Sequence, residues 1–205
     1  MKLYFIPFAC SLATRIAVIE AELDADFVQV TPDAVLADGR PFRTVSPMGY
    51  VPALETEAGV TLTEGAAVLS YIADLAAEGV LAPPLVSDER YRMTMWLNFV
   101  ATELHKSVFA PLMGRTAGPE ERAAAKARAA RPFAVLEAHF TEGRPFLVDT
   151  FSVADAYLLA VLNWCEHAGV PIDEWQAVKA WRGAMRRRPS VAQAMAEEMP
   201  LLKAA

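Results

Sequence analysis

MKLYFIPFACSLATRIAVIEAEL, residues 1–23, is the stretch whose reading decides the fold. Its first part, KLYFI, is a continuous apolar run of strand formers closed by Pro7, the pattern of a buried β-strand. From Leu12 the period changes, and Leu12, Ile16, Ile19 and Leu23 recur at helical spacing. A strand feeding a helix through a short turn opens an α/β layer structure. The turn leaves Cys10 beside the first turn of the helix, where backbone amides have no partner within the helix. Two readings of Cys10 follow. It is either a small packed hydrophobe, or a thiol whose pKa those amides and the helix dipole pull below the free value of about 8.5. Lys2 ahead of an apolar run also imitates a secretory leader. Pro7 and Arg15 break that run, so the segment is expected to be the first strand and helix of the fold.

Outward from this stretch, FVQVT (27–31) alternates as a second strand. Residues 32–49, rich in Pro, Asp and Gly, are expected to form a loop with one helical turn. VPALE and VTLT, joined across Thr56 to Gly59, predict a hairpin, and the run from Thr63 predicts a helix ended by Gly79. The two prolines of APPLVSDER and the cap-like Ser87-Asp88 predict a linker over 80–87. The patterns at Glu89–Met113, Pro119–Glu142, Val153–His167 and Glu174–Arg187 are all helical. The expected architecture is α/β plus all-α, with a small layered domain over 1–79 and an all-helical domain over 88–205.

Composition narrows the function. A chain of 205 residues, 54% of them hydrophobic, is long and apolar enough to bury a substantial core. A net charge of −6 excludes a basic nucleic-acid platform. The only basic run, Arg186-Arg187-Arg188, closes a helical pattern before Pro189 and reads as cations complementing a helix C-terminus. Two distant cysteines make no disulfide framework and fit a reducing cytoplasm. No apolar run approaches the roughly 20 residues of a membrane span, so no membrane partner is expected. Dinucleotide, P-loop and nucleophile-elbow motifs are absent. His105, His139 and His167 lack ligand spacing, so no metal centre is expected.

Four further stretches bear on chemistry. Val51-Pro52 opens a strand, either as an ordinary trans proline or as a cis bond that turns the Val51 backbone outward to pair with an extended ligand. In TEGAA, Thr63 is a plausible N-cap, with Glu64 and Gly65 in the first turn. This is either a plain cap or a site whose free amides take a carboxylate while Glu64 holds an ammonium, which together suit an amino-acid head group. In WLNFVATELHK (96–106), Asn98, Thr102 and His105 fall at i, i+4 and i+7, as either a solvent face or the wall of a cleft. In FSVADAYL, Ser152 and Asp155 make a capping box with Phe151 as its staple. The helix beyond, apolar on all sides, should be the core of the second domain.

Taken together, MKLYFIPFACSLA, SPMGYVPAL, LTEGAAVLSYIAD, WLNFVATELHK and FSVADAYL resemble the glutathione S-transferases, most closely the bacterial beta class. The resemblance spans nearly the whole chain. It implies a thioredoxin-like N-terminal domain, an all-helical C-terminal domain and a homodimer. It implies glutathione as a substrate, with a small apolar electrophile as the other. By resemblance, Cys10 meets the glutathione sulfur with Ser11 beside it, Val51 pairs with the cysteinyl unit ahead of a cis Pro52, and Glu64 and Gly65 hold the γ-glutamyl head. Thr102, Glu103 and His105, with Asn98 and Lys106, face the cleft, and some of them reach the partner subunit's site. Cys10 then also suits mixed-disulfide chemistry, and His105 either moves a proton or orients the ligand. The resemblance extends equally to non-catalytic binding or regulatory proteins of this family. One departure stands out. Beta-class relatives place a lysine in the loop after the second strand and a glutamine before the Val-Pro pair, to hold the glycine end of glutathione. Here the loop TPDAVLADGRPF has no lysine and Tyr50 replaces the glutamine, so either Arg40 or Arg43 is the expected substitute or glutathione binds weakly and another ligand is preferred.

Overall fold

The computed structural model describes residues 1–114 and 116–204. Strands β1 (Lys2–Phe5), β2 (Asp26–Gln29), β3 (Ala53–Glu55) and β4 (Thr61–Leu62) form one sheet in the order β2-β1-β3-β4. β1 runs parallel to β2, with Leu3 opposite Phe27, and antiparallel to β3, with Leu3 opposite Leu54. A parallel pair needs a crossover, which α1 (Leu12–Glu20) provides, while β3 and β4 are the expected hairpin. The strand period of two sorts the faces. Leu3 and Leu54 pack with Ile16 of α1 and Val68 of α2 (Gly65–Leu75). Tyr4 and Ala53 face the other way, beneath Val30, Leu36 and Phe42 of the following loop. The single helical turn expected in that loop is Phe42–Thr44. Helix α2 stops at Leu75, short of Gly79.

The helical half begins with α3 (Asp88–Phe99), whose cap is Ser87 accepting the Arg90 amide at 3.1 Å. The run continues as a π-helix over Val100–Phe109 and closes in α4 (Ala110–Met113). The expected helix over 119–142 is two, α5 (Pro119–Arg128) and α6 (Ala130–Thr141). Helix α7 (Val153–Leu162) is buried at every position, as its all-apolar pattern requires. Asp155 secures its start, accepting the Ser152 amide and hydroxyl and the Leu147 amide, each at 2.9 Å. After α8 (Cys165–Ala168) and α9 (Gln176–Met185) comes α10 (Pro189–Ala204). The sequence pattern did not reveal α10, because it opens on one proline and carries another at Pro200.

Helix α1 packs on α7 and α10, and α2 on α3 and α7. Leu12 and Ile16 therefore share one apolar cluster with Leu158 and Leu162 of the helical half. The connecting segment is tied down too, since Leu81 is fully buried and its carbonyl accepts the Val153 amide at 2.9 Å. The arginine run does more than cap α9. Arg186 donates twice to Asn163 Oδ1 and Arg188 pairs with Glu20 of α1, so two of the three are tertiary ties rather than partners of the helix dipole.

Candidate active site

The sheet half and the helical half meet along a cleft of about 360 Å³. From the sheet side come Cys10, Tyr50, Val51, Pro52, Glu64 and Gly65, and from the helical side Asn98, Thr102, His105, Lys106 and Tyr157. The polar stripe of WLNFVATELHK is thus a cleft wall. The Val51-Pro52 bond is cis. Two expected site residues stand outside the lining. Ser11 is fully buried, and its hydroxyl exchanges hydrogen bonds with the backbone of Ile6, accepting from the amide and donating to the carbonyl at 3.2 Å each. Glu103 is exposed beside the cleft, accepting from the Thr102 hydroxyl at 3.3 Å.

The cap of α2 is not Thr63. Glu64 occupies that position with φ at +65°, a left-handed conformation uncommon for a residue with a side chain, and no side chain satisfies the first-turn amides. Glu64 and the start of α2 both line the cleft. The Gly65 backbone sits close enough to Tyr157 that an added Cβ would lie 3.7 Å from its hydroxyl, in ordinary contact.

Of the two readings of Cys10, the thiol with a lowered pKa is not the one the structure supports. The first-turn amides are largely occupied, since Leu12 N donates to Ala9 O at 3.0 Å and Ala13 N to Cys10 O at 3.1 Å. Burial is the largest influence on the thiol and pushes it up to about 12, against smaller opposing effects of the Lys106 ammonium and local amides. The neutral thiol donates to Val51 O at 3.2 Å. His105 is held neutral as well, since burial, helped by Lys106, pulls its pKa down to about 4. Its Nδ1 shares a 2.8 Å hydrogen bond with the Tyr157 hydroxyl, a phenol that burial holds far above its ordinary range.

Neither arginine expected at the glycine end lines the cleft. Arg40 pairs with Asp38 at 2.8 Å and Arg43 donates to Pro47 O at 3.3 Å. Among the described residues, Lys106 is the one cation of the lining, and its Nζ lies 4.7 Å from the centre of the Tyr50 ring. Tyr50, standing where a glutamine was expected, thus holds a lysine from the opposite wall.

Cys10 and His105 also line a second cavity of about 500 Å³, walled by Phe8, Phe109, Met113, Trp164 and Leu202. One polar cleft and one apolar cavity therefore meet at a thiol and an imidazole. Residues 1–74 match the N-terminal domain family of the glutathione S-transferases and residues 100–189 the C-terminal domain family. This chain belongs to the glutathione S-transferase family. It is 34% identical over 201 residues to glutathione S-transferase GstA of Escherichia coli O157:H7, covering 97% of this chain and 98% of that one. A sphingomonad glutathione S-transferase complexed with glutathione superposes with a TM-score of 0.90 at 38% identity, over 97% of this chain and 98% of that chain. A bacterial beta-class enzyme from Sphingomonas chungbukensis superposes with a TM-score of 0.91 at 37% identity, over 97% and 99%. The sheet half of this transferase is accordingly the thioredoxin-like unit of the family, and α3 to α10 its helical unit.

Several site residues of this glutathione S-transferase were not visible in its sequence. Phe8, two positions before Cys10, has φ at +56°. Its amide donates to Glu198 of α10 at 2.7 Å and its carbonyl accepts the Trp164 indole N–H at 2.8 Å. Glu198 is itself fully buried and accepts from Arg15 Nε at 3.0 Å. The Arg15 guanidinium lies 3.9 Å over the Phe27 ring and 4.5 Å over Phe5. The strained turn that presents Cys10 is therefore held from both sides by the helical half. Tyr157 did carry a signal, because a phenol inside an otherwise apolar helix needs a hydrogen-bond partner.

Proposed function

We propose that this glutathione S-transferase binds glutathione in the polar cleft, with its sulfur at Cys10, and joins that sulfur to an apolar electrophile held in the adjoining cavity. The observation that carries the reading is that Cys10 and His105 line both spaces. Glu64 would hold the ammonium of the γ-glutamyl head and the open amides of α2 its carboxylate. The Val51 backbone would pair with the cysteinyl unit, beside cis Pro52. Lys106, set against Tyr50, would take the glycyl carboxylate in place of Arg40 or Arg43. Residues 1–79 would then be the glutathione-binding domain, 80–87 the linker and 88–205 the domain that supplies the electrophile cavity.

The protonation states favour one mechanism. A Cys10 that keeps its proton is a donor, and a hydrogen bond to the substrate sulfur stabilises glutathione as its thiolate, whose proton leaves to solvent. The thiolate attacks the electrophilic carbon, a C–S bond forms, and the leaving group departs with its electron pair. With a pKa near 4, His105 is too weak a base to hold the proton, so its part is to orient the sulfur, braced by Tyr157. Ser11 fixes the start of α1 from behind. Cys10 can also exchange with glutathione disulfide, giving a protein–glutathione mixed disulfide and one glutathione thiolate. That route needs the Cys10 thiolate, so it should be slow at neutral pH.

A homodimer fits the surface. Met48 and Tyr50 on the loop before Pro52, and Tyr91 and Met95 at i, i+4 on α3, are large apolar side chains more than half exposed. The exposed Thr102 and Glu103 continue that face and would reach the partner subunit's cleft. Two buried free thiols, Cys10 and Cys165, suit a reducing cytoplasm, and no helix among the described residues is long and apolar enough to cross a membrane.

The test is Cys10→Ala, assayed for conjugation and for glutathionylation. Loss of a charge-assisted hydrogen bond should lower kcat/KM for conjugation roughly ten- to a hundredfold and end glutathionylation. Unchanged conjugation would remove Cys10 from the sulfur site.

A further inference from the structure

Asn163 ends α7 and lines the apolar cavity but not the glutathione cleft. Its amide is oriented without ambiguity. Arg186 donates to Asn163 Oδ1 from Nε at 3.0 Å and from Nη2 at 2.8 Å. A guanidinium has only donors, so the oxygen must face it and Nδ2 must face away. Asn163 Nδ2 is buried and has no hydrogen-bond partner among the described residues. A buried donor left unpaired is costly, which is reason to ask what satisfies it.

Two other polar side chains around this cavity are already engaged. The Trp164 indole N–H is given to Phe8 O and His105 Nδ1 to Tyr157. His167, one turn beyond Asn163, also lines the cavity but is exposed to solvent, and the wall otherwise includes the apolar Phe109, Met113 and Leu202. We propose that Asn163 Nδ2 is the specificity donor of this cavity, so that the preferred electrophile is an apolar molecule bearing a hydrogen-bond acceptor, such as a carbonyl, at its end remote from the reacting carbon. Two charge-assisted bonds to Asn163 Oδ1 fix the amide and draw electron density from its nitrogen, which makes Nδ2 a preorganised donor. The inference rests on the reading that the electrophile occupies this cavity.

Two unreactive glutathione conjugates test it: S-(4-acetylbenzyl)glutathione, which carries the acceptor, and S-(4-isopropenylbenzyl)glutathione, which has the same shape without it. Affinities are measured by calorimetry, so no turnover is needed. The wild-type protein should bind the acetyl conjugate roughly five- to tenfold tighter than the isopropenyl one. Asn163→Asp keeps the volume and the pairing with Arg186 but replaces the donor by an acceptor, and should erase or reverse that preference. Asn163→Leu, which removes both groups, should erase it while leaving the isopropenyl conjugate within about twofold of wild type. A preference that survives in both variants, or is absent from wild type, overturns the inference alone. Conjugates that bind no tighter than glutathione itself overturn the placement of the electrophile and the inference with it.

Discussion

Two helix starts in this protein are built in opposite ways. At α7 the chain satisfies itself, because the Asp155 carboxylate, fully buried, takes two donors from Ser152 and the Leu147 amide. At α2 no side chain caps the helix, Glu64 sits in a left-handed conformation, and the first turn opens on the cleft. Both cost something locally, yet only the first is repaid within the fold. The difference separates a residue kept for folding from one available to a ligand, and substitutions at the two should divide cleanly between stability and binding.

The largest effect is expected at α7. Asp155→Ala leaves the Ser152 and Leu147 amides buried without an acceptor and should lower unfolding stability by about 3 kcal/mol or more, read by urea denaturation. Ser152→Ala, which keeps the acceptor, should cost about 1 kcal/mol. In neither should the fraction that folds bind glutathione differently. At α2 the pattern inverts. Glu64→Ala should weaken glutathione binding roughly 30- to a hundredfold by calorimetry, with the urea midpoint nearly unmoved. If Glu64→Ala instead unfolds the protein, the contrast between the two starts is wrong.

The two ends of the cleft sharpen the same contrast on a smaller scale. Lys106→Met should weaken glutathione binding roughly tenfold, whereas Arg40→Ala and Arg43→Ala should leave it unchanged, because those guanidiniums are engaged with Asp38 and Pro47 O. Tight binding in Lys106→Met with a loss in either arginine variant would restore the arginine reading.

Much of this arrangement was legible from local pattern. The strand-to-helix opening, the hairpin, the capping box and the stripe of Asn98, Thr102 and His105 all rest on residues near one another in sequence, where period and cap chemistry act. What stayed hidden depends on chain segments meeting in space. The place of Cys10 at a helix start left a packed side chain and an ionised thiol equally open, and only the tertiary packing shows that it is buried and that desolvation outweighs the amides. Glu198 and Trp164 grip Phe8 from the far end of the chain, and α10 carries that grip although its prolines masked it as a helix. Arg40 and Arg43 were the obvious cations for the glycine end by sequence position, yet neither lines the cleft, whereas Lys106, already legible as a cleft residue, does.

The central claim is that Cys10 serves as a protonated donor while the thiol that ionises belongs to glutathione. It is tested most directly by titrating thiolate ultraviolet absorbance against pH, with and without saturating glutathione, in wild type and in Cys10→Ala. A Cys10 pKa raised in the folded state keeps the thiolate absent through neutral pH, and stability should fall as pH rises from the free thiol value near 9 towards about 12. Without glutathione, the account predicts no Cys10 thiolate signal at neutral pH. With glutathione, it predicts a new thiolate titrating well below the free value, which moves upward in Cys10→Ala. A Cys10 signal already present at neutral pH without glutathione, or bound glutathione that ionises only at its free value, would contradict it.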